Sequence, residues 1–157
     1  HSPREVQRQA FRRQLRLANE LALPIIIHER DAVDFVLGIL EAEDGGAHGG
    51  MWHCCSVAPE SAVRIAEKLH VGIAGWVTFP KMASVRDIAR AVPLERLLVE
   101  TDAPYLTPVP FRHQPYNEPA YVQYTVAKVA EVRGVSTEEV DRVTTENVAR
   151  AFPRWEM

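Results

Sequence analysis

Short apolar runs alternate along the chain with longer stretches in which apolar residues recur at helical spacing. Four runs predict β-strands, at residues 25–27, 51–52, 71–79 and 94–100. The runs lack the in-and-out alternation of a strand with one wet face, so we expect both faces of their sheet to be covered. Six stretches with helical periodicity or capping signals predict helices at residues 2–21, 30–43, 59–69, 83–92, 117–133 and 136–151.

Each predicted strand ends at a polar residue, and these residues are evenly spaced. They are His28, His53, Thr78 and Asp102, at intervals of 25, 25 and 24 residues. Strands and helices that alternate at such a period indicate repeated βα units around a parallel sheet. The carboxyl ends of parallel strands lie on one rim, where such folds carry their active sites. We therefore expect two histidines and an aspartate to converge on that rim.

Two imidazoles and a carboxylate are suited to divalent Zn, Mn or Mg. His28, His53 and Asp102 are therefore candidate metal ligands, against the alternative that each histidine is a hydrogen-bonded core residue. Glu100 lies two residues before Asp102 and should face the same side of a strand, one layer deeper. It is predicted either to support the ligands from behind or to pair with Arg96 or another nearby arginine.

Cationic side chains just beyond the strand ends suggest a second kind of chemistry. Arg30, Lys81 and Arg112 occupy such positions, where they would hold phosphate groups, although a solvated surface explains them equally well. Cys54 and Cys55 are adjacent and lack the CxxC spacing of thiolate sites. We expect both of them to be small hydrophobic residues.

Composition narrows the compartment and the class of partner. A chain of 157 residues, 46% hydrophobic and 25% charged, predicts one globular domain over residues 1–157. The net charge of −3 and the pI near 6.1 exclude a globally basic nucleic-acid binder, while a local arginine patch stays compatible with one. No apolar run approaches the roughly 18 residues of a membrane span, so no membrane partner is expected. The cysteine usage favours a reducing cytoplasm.

Six segments resemble, in order, the TatD-type metal-dependent deoxyribonucleases. They are "LPIIIHERDA", "WHCCS", "VTF", "ETDAPYL", "NEPAYV" and "TTENVARAF". The resemblance implies a TIM-like (β/α)8 metallohydrolase barrel whose rim holds two divalent metals and hydrolyses phosphodiester bonds in DNA. It implies that His28 and His53 hold one metal. Asp102 would be the carboxylate ligand of the last barrel strand and a proton acceptor for the attacking water.

The same resemblance points to residues beyond the metal ligands. Asn117 and Glu118 of "NEPAYV", together with Arg30 and Arg112, are candidates for supporting the site or contacting substrate. Some positions depart from the family's usual residues. They are Cys55, Val57, Glu29 and Tyr116, the last two at positions concerned with substrate contact.

The family pattern also begins with a His-x-His pair and carries a metal-bridging glutamate on its fourth strand, and this chain contains neither. A complete barrel needs about 250 residues. We therefore expect this chain to be the C-terminal half of one, supplying about the last four βα units and the C-terminal helices. The expected protein partner is the missing half of the barrel, as a separate chain or as a disordered, cleaved segment, or else a second copy of this chain. The remaining alternative is that the fragment folds poorly alone.

Three functions stay open on these grounds. The first is metal-dependent hydrolysis of DNA, acting on strand ends, with the isolated chain weak or inactive. The second is hydrolysis of an amide or ester on the same scaffold. The third is a truncated, inactive interaction module.

Overall fold

The computed structural model describes residues 2–153. Its helices are α1 (Arg4–Glu20), α2 (Val33–Ala42), α3 (Pro59–Ala66), α4 (Ala83–Ala91), α5 (Val122–Arg133) and α6 (Thr137–Ala151). Its strands are β1 (Ile25–Ile27), β2 (Gly50–Trp52), β3 (His70–Ile73) and β4 (Leu97–Val99). Three short 3-10 helices cover Gly75–Thr78, Leu94–Arg96 and Pro119–Tyr121.

The four strands form one sheet in the order β1-β2-β3-β4, and every neighbouring pair is parallel. Each strand is joined to the next through a helix, as parallel pairing requires. The predicted α/β fold with a parallel sheet is confirmed. All four carboxyl ends therefore point to one edge of the sheet.

The two faces of the sheet are covered differently. Trp52, Val71 and Leu97 lie side by side in register and belong to the main core, which packs against the helices. On the opposite face, Met51 and Leu98 form a smaller core with Ala151 at the end of α6. Ile26 is in register with Met51, yet 64% of its surface is exposed. The expectation that both faces are covered is therefore wrong for the edge strand β1 within residues 2–153.

The third strand is shorter than predicted. It ends at Ile73, and the chain then turns into the 3-10 helix that contains Thr78. A Cβ atom on Gly75 would lie 2.5 Å from the carbonyl oxygen of Leu106, so glycine lets a later loop pass directly over this turn. Thr78 is thus not a strand terminus, and its hydroxyl instead donates to Gly75 O at 2.7 Å and accepts from Val109 N at 2.9 Å.

The last helix is anchored in two ways that the sequence suggested only in part. Ser136 caps it, since its hydroxyl accepts from Glu139 N at 3.1 Å as a capping sequence predicts. Asn147, fully buried, donates to the carbonyl oxygens of Leu94 and Leu97, both at 2.8 Å. These bonds tie α6 to the start of β4. Among residues 2–153, no helix is both long enough and apolar enough to cross a membrane.

Candidate metal centre

His53 lies between two carboxylates at the carboxyl edge of the sheet. It follows β2 directly, and its backbone N–H continues the pairing with β1 by donating to Ile27 O at 2.8 Å. Its Nδ1 is 2.5 Å from Glu100 Oε2, and its Nε2 is 3.2 Å from Asp102 Oδ1. The hydrogen bond to Glu100 raises the pKa of His53, burial opposes this rise, and Asp102 adds to it.

This geometry leaves His53 Nε2 in need of a positive partner. Glu100 accepts the proton on Nδ1, so a neutral imidazole would present its Nε2 lone pair to a carboxylate oxygen of Asp102. The two atoms would then repel one another unless a second proton or a cation lies between them. Ligand atoms on one zinc-sized ion are separated by about 3.0–3.4 Å. The observed 3.2 Å falls in that range, so the residues fit a divalent metal.

Glu100 is held in place from two sides. One oxygen contacts His53, and the other accepts from Cys54 N at 2.6 Å. Space for this side chain exists because residue 72 is glycine, where a Cβ would lie 2.2 Å from Glu100 Oε1. Of the two predicted arrangements, the structure has Glu100 behind His53, and no ion pair joins it to Arg96 among the described residues.

His28 lies beside His53 on the same edge. It follows β1 directly, its side chain is exposed, and its ring centroid is 5.7 Å from that of His53. The structure therefore places His28 next to His53, and it brings His53 and Asp102 within ligand distance of each other. The predicted positions on one edge are confirmed, but His28 is not in the group of donor atoms that includes His53 and Asp102. Their roles as ligands stay a prediction.

The structure adds Cys54 to this group. Its sulfur, a ring nitrogen of His53 and a carboxylate oxygen of Asp102 all lie within 4.8 Å of one another. Burial first, and then the charges of Glu100 and Asp102, raise the pKa of the Cys54 thiol to about 12. Cys55 is a fully buried core residue as predicted, but Cys54 is not. The signal for it in the sequence was its place directly after a strand-ending histidine.

The three cationic candidates, Arg30, Lys81 and Arg112, all have exposed side chains. The Arg112 guanidinium is stacked 3.9 Å from the centroid of the Phe79 ring and is exposed. Arg30 is exposed and lines an open groove of about 520 Å³, whose wall also includes His28. Lys81 is exposed.

Asn117 and Glu118 are placed by the structure in different environments. Asn117 is buried, with its side-chain amide donating to Tyr105 O at 2.7 Å and its backbone N–H donating to Pro104 O at 3.0 Å. It therefore ties together the two ends of the loop that follows Asp102. Glu118 is exposed, and it is not in the donor group formed by His53 and its neighbours.

A parallel α/β sheet whose carboxyl edge carries an imidazole and a carboxylate at ligand spacing is typical of hydrolases with a metal site. The family model described as TatD related DNase matches residues 1–153. The chain belongs to this family, and the resemblance drawn from its motifs is confirmed.

Individual relatives agree with this assignment. The chain is 41% identical over 152 residues to "Uncharacterized metal-dependent hydrolase YabD" of Bacillus subtilis, covering 96% of this chain and 59% of the relative. It is 38% identical over 156 residues to "3'-5' ssDNA/RNA exonuclease TatD" of Klebsiella pneumoniae, with 96% and 59% covered. The solved structure of the TatD homologue YJJV from Escherichia coli superposes with a TM-score of 0.87 at 29% identity, covering 95% of this chain and 57% of that one. The chain thus spans less than two thirds of each of these proteins.

Proposed function

We propose that this chain supplies half of the active site of a metal-dependent phosphodiesterase that cleaves DNA. The observation that carries the proposal is His53, held through Nδ1 by Glu100 while Nε2 faces Asp102 at 3.2 Å. Arg30 and Arg112, which follow β1 and β4 in the sequence, are cationic and so favour a phosphate substrate over an amide or ester. The name of the Klebsiella relative supports a nucleic-acid substrate and is compatible with both DNA and RNA.

The architecture behind the proposal is a (β/α)8 barrel of which this chain forms about the last four units. The position of β1 at the edge of the sheet supports this, because an edge strand presents unpaired backbone groups to a further strand, and its Ile26 is exposed. The 57–59% coverage of the relatives supports it as well. The neighbour would be the other half of the barrel or a second copy of this chain. We also propose that the protein is located in the cytoplasm.

The chain's own residues have distinct tasks in this mechanism. A divalent metal, Mg, Mn or Zn and two per complete site, would supply Lewis acidity and an activated water when bound. His28, His53 Nε2 and Asp102 would hold it. Glu100 accepts the Nδ1 proton of His53 and so fixes the tautomer that keeps Nε2 free for a ligand. Asp102 accepts the proton of the attacking water.

Hydrolysis of a 5′-labelled single-stranded oligonucleotide with Mn, Mg or Zn tests the proposal. We expect the 157-residue chain to cleave slowly, and only with metal. His53→Ala should abolish cleavage, whereas His48→Ala, at the opposite end of β2, should not. Robust turnover by the chain alone would refute the view that its site is incomplete. Faster cleavage of chromogenic carboxylic esters than of phosphodiesters would refute the substrate.

Metal binding measured by calorimetry covers the case in which turnover is too slow to detect. We expect the chain to bind a divalent ion near neutral pH, and we expect His53→Ala to lose that binding while His48→Ala keeps it. A chain that binds no divalent ion would be an inactive interaction module, and the proposed metal centre would be wrong.

A further inference from the structure

An open groove between α1 and α2 begins beside the candidate metal centre. Its volume is about 520 Å³, which lies within the range of roughly 300–1,000 Å³ for sites that hold a small molecule. Residues 28–31, between β1 and α2, form part of its wall, and His28 among them lies next to His53. The residues of α1 that line it are spaced so that they share one side of the helix, and they are Arg4, Gln7, Arg8 and Phe11.

Three guanidinium groups line this groove. Arg4 and Arg8 are about one helical turn apart on α1, and Arg30 follows β1 on the opposite wall. Two acidic residues, Glu29 and Asp31, line it as well, and the Glu29 carboxylate already accepts a backbone N–H of its own loop. Positive charge therefore exceeds negative charge along the groove, which favours an anionic ligand such as a phosphate chain.

An aromatic ring lies among these cations. Phe35 on α2 is 54% exposed, and the guanidinium carbon of Arg8 is 3.9 Å from the centroid of its ring. Stacking on the ring orients the guanidinium plane and leaves its edge available for hydrogen bonds to phosphate. The other contact of Arg8, with Glu5 Oε2 at 3.5 Å, joins two surface side chains and is weak. The groove thus combines cations with an accessible aromatic surface.

We propose that this groove binds single-stranded DNA beside the metal centre, with phosphates on its three arginines and an unpaired base against Phe35. Cations interleaved with aromatic rings are typical of sites for single strands, because every base has a face that can stack. In a duplex the bases stack on one another, so they are not available to the ring. The inference rests on the proposed function and names the surface that holds its substrate.

Binding of a fluorescein-labelled oligothymidylate, followed by fluorescence anisotropy with a chelator present, tests the groove without metal and without cleavage. Arg8→Gln should weaken binding and reduce the slope of log affinity against log salt by about 0.7, the value for one phosphate contact on a single strand. Arg13→Gln is the matched control, because Arg13 is an exposed arginine of α1 outside the groove and the substitution removes the same charge. Its salt slope should equal that of the unaltered chain.

Phe35→Ala separates stacking from charge. It should weaken binding of oligothymidylate by at least about fivefold, the effect of losing one stacked base, and leave binding of an abasic oligonucleotide of the same length unchanged. Leu17→Ala is the matched control, since Leu17 is also 54% exposed and lies on α1 outside the groove. Its affinity for either oligonucleotide should not change.

Several results would overturn the inference. They are a chain that binds no oligonucleotide, equal salt slopes in Arg8→Gln and Arg13→Gln, and an equal loss of both oligonucleotides in Phe35→Ala. If Arg8→Gln left DNA binding unchanged and converted a dimer into a monomer in size-exclusion chromatography, the groove would hold a second copy of the chain instead.

The unaltered chain covers the case in which the variants do not fold. It should bind oligothymidylate at least about fivefold more tightly than the abasic oligonucleotide, and equal affinities would refute the stacking. Because a chelator is present throughout, failure of the groove leaves the metal calorimetry of the proposed function unaffected. Conversely, a chain that shows the expected DNA binding but takes up no divalent ion would keep the groove and lose the metal centre.

Discussion

Gly72→Ala should damage the candidate metal centre without touching any of its proposed ligands. The new Cβ would lie 2.2 Å from Glu100 Oε1 and 2.6 Å from Met51 Cε, whereas ordinary contacts are 3.4–4 Å. The methionine end can move at little cost, but the carboxylate oxygen must retreat by more than 1 Å. This retreat breaks the 2.6 Å hydrogen bond from Cys54 N–H and loosens the bond to His53 Nδ1.

The magnitude follows from those two bonds. A hydrogen bond to a charged group contributes about 1.5–3 kcal/mol, so we expect a loss of about 2–4 kcal/mol in the free energy of unfolding. Loss of a group that orients a histidine ligand lowers metal affinity by about 10–100-fold. Urea unfolding measures the first effect, and calorimetric titration with Zn²⁺ measures the second.

Gly38→Ala is the matched control. Gly38 lies within α2, and a Cβ there would meet nothing within 4 Å. Alanine is favoured over glycine in a helix by about 1 kcal/mol, so this variant should be slightly more stable and bind metal normally. If Gly72→Ala changed neither stability nor metal affinity by more than Gly38→Ala does, the account of Glu100 as the group that orients His53 would be refuted.

Three further predictions concern groups away from the metal centre. Burial, followed by two nearby arginines, lowers the pKa of His70 from 6.5 to about 4, so as the pH falls the unfolded chain takes up this proton before the folded chain does. The free energy of unfolding should therefore fall by up to about 3 kcal/mol between pH 6.5 and 4. A His70→Gln variant that shows the same pH slope in urea unfolding would contradict this. Hydrogen bonds from Arg16 and Arg12 lower the pKa of Glu43 from 4.5 to about 2. The ionised carboxylate therefore stabilises the fold fully above pH 4.5, and this stabilisation is lost as the pH falls towards 2. Glu43→Gln should abolish this pH-dependent loss in acid titrations followed by circular dichroism. Asn147→Ala removes the side-chain donor of Leu97 O and one of the two donors of Leu94 O, which keeps the backbone N–H of Leu97. The substitution should cost about 1–3 kcal/mol in urea unfolding. An unchanged midpoint would show that α6 is anchored by packing alone.

The order of elements along the chain was predictable because the signals for it are local. The apolar run 25–27 forms a strand, and the helix-period stretch that follows it returns the chain to the next strand. The same local reasoning placed His28, His53 and Asp102 on one edge, since each follows a strand directly or within three residues. Ser136 as a cap is a local feature too, and the structure has it.

Residues 71–79 show where local reasoning stops. A buried strand and a buried 3-10 helix are both apolar, so the composition of this segment could not separate them. The turn after Ile73 depends on the passage of Leu106 over Gly75, a contact between segments about thirty residues apart. Thr78 was therefore placed wrongly for a reason that only packing reveals.

The residues of the candidate metal centre show the same distinction between what the sequence predicts and what packing determines. The residues that end strands were determined by the sequence alone, because their place depends on strand direction. Whether Glu100 turns to His53 or to Arg96 was decided by the empty space at Gly72 on a neighbouring strand. Likewise, the position of the Cys54 sulfur among the donor atoms depends on a left-handed turn held by that same carboxylate. Spacing along the chain specifies the edge on which a side chain lies, whereas its partner depends on the space that neighbouring strands leave for it.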